Sequence, residues 1–189
     1  MKKIVLCAVA STAFISTSAF AQSNTTTDTF VVTANVTPTC VMENVQDIDL
    51  GALKIVTTAG SNALVFGNGS KSATSNAAYL SCNDTNAMTI TSDGALKNAR
   101  GVTADESADG FSDRVDFRVY ANNYGAATGN ARQTYFSRNG GSQRNADPRG
   151  ALHRQISFQG SVDYDDNRGF RPIAGAYSST VTVTVAIAS

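Results

Sequence analysis

The stretch that most restricts what this chain can become runs from Tyr177 to Ile187. Tyr177, Val181, Val183, Val185 and Ile187 share one parity, and Ser178, Thr180, Thr182 and Thr184 share the other. Successive side chains of a β-strand point to opposite faces, so the pattern predicts one strand with an apolar face and a hydroxyl face. β-Branched residues fill both faces, as a pleated surface favours, and Gly175 marks the start. A lone strand cannot bury such a face. A second alternating segment lies near the other end, where Phe30, Val32, Ala34 and Val36 line one side of residues 29–36. We read these two segments as pairing between neighbouring molecules.

Before that segment, residues 1–21 read as a secretory signal. Lys2 and Lys3 precede an apolar run from Ile4 to Ile15, and Ala19-Phe20-Ala21 offers a cleavage site ahead of Gln22. The run is too short for a spanning helix. Cys7 lies inside it without a lipoprotein cleavage box, so the expectation is release from the inner membrane with no transmembrane anchor in the mature chain. Cleavage leaves 168 residues of formal charge −2, enough for one domain and unsuited to bulk nucleic-acid binding.

Two cysteines remain, Cys40 and Cys82. In an exported protein an even pair reads as a disulfide, here closing a loop of about 43 residues worth roughly 4 kcal/mol in the chain-entropy model. Free or metal-bound thiols are the rival reading. Between and beyond the cysteines the pattern predicts short strands over 41–50, 77–82, 88–91, 115–120, 133–136 and 156–162, with a brief apolar run at 63–66. Gly, Asn and Asp turns separate them, and no long helical period appears. The fold class expected is an all-β sandwich.

Few residues carry chemistry. His153 is the only histidine, and no G-x-S-x-G elbow occurs. Gly67-Asn68-Gly69-Ser70-Lys71 lacks the third glycine of a phosphate loop and reads as a turn. Asp163-Tyr164-Asp165-Asp166-Asn167-Arg168-Gly169 alternates carboxylates as a calcium loop does, but Arg168 stands where the sharp-turn glycine belongs and Ala174 where the bidentate acid belongs. It reads as a polar connection. No enzyme, cofactor or metal is expected. Two oppositely charged stretches, 105–116 (acidic) and 132–154 (arginine-rich), read either as solvated faces or as matched surfaces of neighbouring subunits.

In order and spacing the chain resembles the spore coat protein U-type domain, shared with subunits of archaic (Csu-type) chaperone–usher pili. The resemblance rests on Val32-Thr33-Ala34-Asn35-Val36-Thr37-Pro38-Thr39-Cys40, Asp49-Leu50-Gly51, Tyr79-Leu80-Ser81-Cys82 and Asp116-Phe117-Arg118-Val119-Tyr120. Gly175-Ala176-Tyr177 followed by Thr180-Val181-Thr182-Val183-Thr184-Val185 is similar to the family's closing strand, with Ser179 where an acid is usual.

The resemblance implies an immunoglobulin-like sandwich that lacks its final strand. Residues 22–39 would be an N-terminal donor extension and 40–189 the sandwich. Phe30, Val32, Ala34 and Val36 would enter a neighbour's groove, whose edge strand carries Tyr177, Val181, Val183, Val185 and Ile187. The partners implied are neighbouring pilus subunits, a periplasmic chaperone and an outer-membrane usher, with the protein passing through the periplasm to a surface fimbria serving adhesion or biofilm formation. The alternative is a self-contained secreted sandwich, a coat component or ligand-binding module, with residues 30–36 paired in its own sheet.

Overall fold

The computed structural model describes residues 26–124, 133–138, 141–144 and 150–188; the signal segment 1–21 lies outside them. In chain order the first strands are β1 (Cys40–Met42), β2 (Lys71–Thr74), β3 (Ala78–Cys82), β4 (Asn86–Ser92) and β5 (Leu96–Asn98). A short helix α1 (Ala104–Ala108) is followed by β6 (Phe111–Ser112), β7 (Arg114–Val115), β8 (Arg118–Asn122), β9 (Gln133–Phe136) and β10 (Ser142–Arg144). The last are β11 (Leu152–Val162), β12 (Arg171–Pro172), β13 (Tyr177–Ser178) and β14 (Val181–Ile187).

The chain divides after Asn35 into an N-terminal unit and a body. In the body, one sheet has the order β1-β3-β11-β8-β9-β10, with β2 also pairing β11. The other layer is made of β14 with β4, and β13 with β5 and β7. Leu80, Val119, Ile156 and Phe158 from the first layer and Met88, Ile90 and Val115 from the second share one core. This is an all-β sandwich, as the alternation predicts.

The single strand expected over 115–120 is two strands in different sheets: β7 pairs β5, whereas β8 pairs β9 and β11. The chain changes layer at Asp116-Phe117. Both residues are buried, so their backbone groups need partners off the ladders. Side chains supply three of the four, and the Ser137 amide donates to the Phe117 carbonyl at 2.9 Å. Asn167 accepts from the Asp116 amide at 2.7 Å and donates to its carbonyl at 2.8 Å, and Ser137 Oγ accepts from the Phe117 amide at 2.8 Å. Periodicity alone could not see this.

One further expectation is corrected. Of the strand predicted over 41–50, only Cys40–Met42 is one. Beyond it the side chain of Asn76 replaces a ladder, accepting from the Gln46 amide at 2.7 Å and donating to the Asn44 carbonyl at 3.3 Å. The apolar run at 63–66 is a turn in which Leu64 has φ 62° and only Phe66 makes an isolated bridge, to Ile55. The short helix α1 also went unpredicted, although Thr103 and Glu106 form the reciprocal capping box that starts it.

Cys40 and Cys82 are disulfide-bonded and are register partners on β1 and β3. The bridge therefore fastens a three-residue edge strand to the one strand it pairs with, β3. Replacing both cysteines by serine is expected to lower stability by about 2–4 kcal/mol in urea titration. A loss under about 1 kcal/mol would mean that the edge strand is held without the bridge.

Candidate functional site

The β4–β14 ladder has seven register pairs, including Val183 with Ile90 and Val185 with Met88. On β4, Asn86, Met88 and Ile90 are buried. Directly opposite, Val181, Val183, Val185 and Ile187 are only half-buried, while Thr182, Thr184 and Ala186 are exposed. β4 is the one ladder partner of β14 among the described residues. Among the described residues its far edge therefore has no ladder partner, and no strand covers the apolar face beside it.

The expected strand over 177–187 is interrupted at Ser179-Thr180, leaving Tyr177 on the separate β13. The turn between β4 and β5 causes the break. Asp93 accepts from Ser179 Oγ at 2.6 Å and from the Thr180 amide at 3.1 Å, and Ser179 Oγ also donates to the Gly94 carbonyl at 3.1 Å. The Ser179 hydroxyl holds the Asp93 carboxyl below its ordinary range; desolvation opposes it, and the Thr180 bonds add to the lowering. At position 179 serine replaces the acid usual in the resembled motif, and the acid stands across the turn instead.

A second apolar segment, at the start of the body, packs on the same core and lines the cleft beside β13. Met42, Val45, Ile48, Leu50 and Leu53 are half-buried against the core, as are Tyr177, Val181, Val183 and Val185. Ile48 packs closely over Gly160: a Cβ there would lie 3.2 Å from Ile48 Cγ2, a contact that Ile48 would have to yield to. At the β13 end the space widens into a cleft of about 660 Å3, whose apolar lining includes Ile48, Leu50, Leu53, Leu96, Phe111 and Tyr177. The Tyr177 hydroxyl donates to the Ile173 carbonyl at 2.8 Å, so the phenol is anchored at its rim. Burial raises its pKa. Gly175, two residues before, has φ 136° and packs on Asn98, whose Nδ2 would lie 2.6 Å from an added Cβ; the G-A-Y motif needs its glycine there.

The sequence-predicted residues divide into three groups. Cys40 and Cys82 are joined, and Tyr177, Val181, Val183, Val185 and Ile187 lie along one half-buried side. In the N-terminal unit, residues 26–35 are described by themselves as exposed and without ladder pairing. Phe30 and Val32 are 86% and 83% exposed, Ala34 is exposed, and Val36 at the start of the body is exposed too. The second apolar segment was missed, because apolar residues at 42, 45, 48, 50 and 53 follow neither a strand nor a helix period.

Other polar candidates are engaged within the fold. The Arg118 guanidinium bonds Asp166 at 2.7 Å and Asp163 at 3.2 Å, and the Asp166 bond raises its pKa. The carboxylates that resembled a calcium loop thus face an arginine. Among the described residues no three His, Cys, Asp or Glu side chains form a metal cluster. Arg138 lies 3.8 Å from Asp166, and Arg100 pairs with Glu106 of the acidic stretch at 2.8 Å. The arginine-rich stretch includes β9, β10 and the start of β11; Arg132 and Arg149 lie outside the described residues. His153 stacks on Tyr79 with ring centroids 5.1 Å apart, and its Nδ1 lies 2.7 Å from Ser81 Oγ. Among the described residues no carboxylate bonds it and no nucleophile–base–acid set is assembled there.

A family model described as the Spore Coat Protein U domain matches residues 26–184. The chain belongs to the spore coat protein U domain family. The family comprises structural pilus and coat subunits exported to the cell surface, which gives this chain a coarse fimbrial or coat role. No curated protein matches the chain. Among the described residues, no helix is long and apolar enough to cross a membrane.

Two measurements check the site. Val183→Ala should cost the isolated chain about 1 kcal/mol or less, against about 2–5 kcal/mol for the facing Ile90→Ala. Equal losses in denaturant titration would mean that the β14 face is already covered. In a carboxyl NMR titration, Asp93 should protonate below 3.8 and move back toward it in Ser179→Ala. Because the folded value is the lower one, the tie acts at neutral pH and disappears as pH falls through that value; an unchanged Asp93 titration in the variant would contradict the assignment.

Proposed function

We propose that this chain is a structural subunit of a surface fibre, and that residues 22–39 of one copy complete the sandwich of the next. The observation that carries the reading is the half-covered β14 face, whose edge has no ladder partner among the described residues, with the apolar Met42–Leu53 segment on the same core. A strand laid there would add main-chain hydrogen bonds to β14 and place alternate side chains against that apolar face.

Residues 30–36 fit that description. Seven extended residues reach about 23 Å, the length of the seven-residue β14. Burying Phe30, Val32 and Val36 would contribute on the order of 5–8 kcal/mol before ordering costs. A slip by one residue would present Val31, Thr33 and Asn35 instead, so register is firm. Phe30, the largest of the four, is the dominant anchor. Until a neighbour arrives, the open groove is an aggregation hazard. A periplasmic chaperone that lends a strand, and an outer-membrane usher that exchanges it, answer that hazard.

Phe30→Asp is expected to abolish polymerisation while leaving the chaperone complex intact. Co-purification and detergent-resistant ladders on gels read the two effects separately; equal loss of both would refute the donor assignment. Deleting residues 22–36 should remove the ladder and leave a folded monomer. If the deletion instead unfolds the monomer, the segment belongs to its own sheet.

A further inference from the structure

The ladder between β1 and β3 does not stop at Cys40. The Asn83 amide donates to the Thr39 carbonyl at 3.1 Å, which continues the ladder by one backbone bond. Pro38, with no N–H, would ordinarily end it. The side chain of Asn83 takes over: Oδ1 accepts from the Thr39 amide at 2.7 Å, and Nδ2 donates to the Thr37 carbonyl at 2.9 Å. A carboxamide presents a donor and an acceptor side by side, as a peptide group does, so it serves as the next rung on both flanks of the proline.

Four constraints of different kinds converge on these residues. Thr37 precedes a proline and is confined to extended conformations. Pro38 has its own φ locked by the ring. Thr37 and Thr39 are bonded by one asparagine, and Cys40 is covalently fixed to Cys82. Each exposed hydrogen bond contributes modestly, but no torsion from 37 to 40 is left without a restraint.

We infer that Thr37-Pro38-Thr39-Cys40, clamped by Asn83, is a rigid joint, and that motion between a donor segment and its own body is confined to the Val36–Thr37 junction. The inference rests on the strand-addition reading above and deepens it; the partner is a second copy of this chain. With residues 30–36 seated in the neighbour, no free linker residue separates the two bodies, and consecutive subunits hold a defined angle. Asn83 is a positioning residue for the fibre, acting through Thr37 and Thr39 without touching the groove.

The test images fibres of the parent chain, Asn83→Ala and Pro38→Gly by electron cryomicroscopy, with monomer melting as a control. Both variants should polymerise and melt as the parent does, while the spread of angles between consecutive subunits roughly doubles, as expected for a loosened linker. An unchanged spread in both variants overturns the joint. Lost polymerisation at unchanged monomer stability also overturns it, since the clamp would then act on strand exchange itself. A parent chain that forms no fibres would instead sink the strand-addition reading. Pro38→Gly removes no hydrogen-bonding group, so it reads the joint even where Asn83→Ala lowers the yield.

Discussion

The ladder between β4 and β14 joins strands of similar composition whose surroundings differ sharply. Met88 and Ile90 are buried in the core, and their register partners Val185 and Val183 are half-open. Sheets that must live with an edge usually blunt it with lysine, proline, a bulge or a covering loop. β14 contains no lysine or proline, and its seven register pairs are consecutive, without a bulge. Its outward residues, Thr182, Thr184 and Ala186, are uncharged and strand-compatible. Among the described residues none of these protective devices is present on β14.

The surrounding structure keeps that edge available. The segment after β1 is prevented from closing into a ladder because Asn76 occupies its backbone at Asn44 and Gln46. Ile48 packs closely over Gly160, and the Cys40–Cys82 bridge fixes the point where that segment begins. Asp93 ties down Ser179-Thr180, so β13 and β14 turn about a fixed corner and the wider cleft opens beside Tyr177.

Much of this was legible because strand periodicity is two. The parity of Val181 through Ile187 specified the face that proved half-buried, and two cysteines in an exported chain specified the bridge. The misses share one physical cause. At Asp116-Phe117, at residues 44–46 and at Thr37–Thr39, backbone groups are satisfied by the side chains of Asn167, Ser137, Asn76 and Asn83. Each is distant in sequence from what it bonds. A lone asparagine carries no mark of the backbone it will meet, so such substitutes for a ladder emerge only with the tertiary fold. The break at Ser179 is of the same kind, since its partner Asp93 lies 86 residues away. The helix at Ala104–Ala108 is different: its T-A-D-E start was readable, but five residues are too few to show a period.

Whether the strand that covers β14 comes from another molecule is decided by isotope mixing. Fibres are grown from equal parts of a 15N-labelled and a 13C-labelled preparation, and nitrogen–carbon transfer is recorded by solid-state NMR. Because no single molecule carries both labels, any cross-peak arises between copies. Strand addition predicts cross-peaks between amides of residues 30–36 and carbons of residues 181–187. Fibres that give none there, while uniformly double-labelled fibres do, would place the pairing within one chain and contradict it.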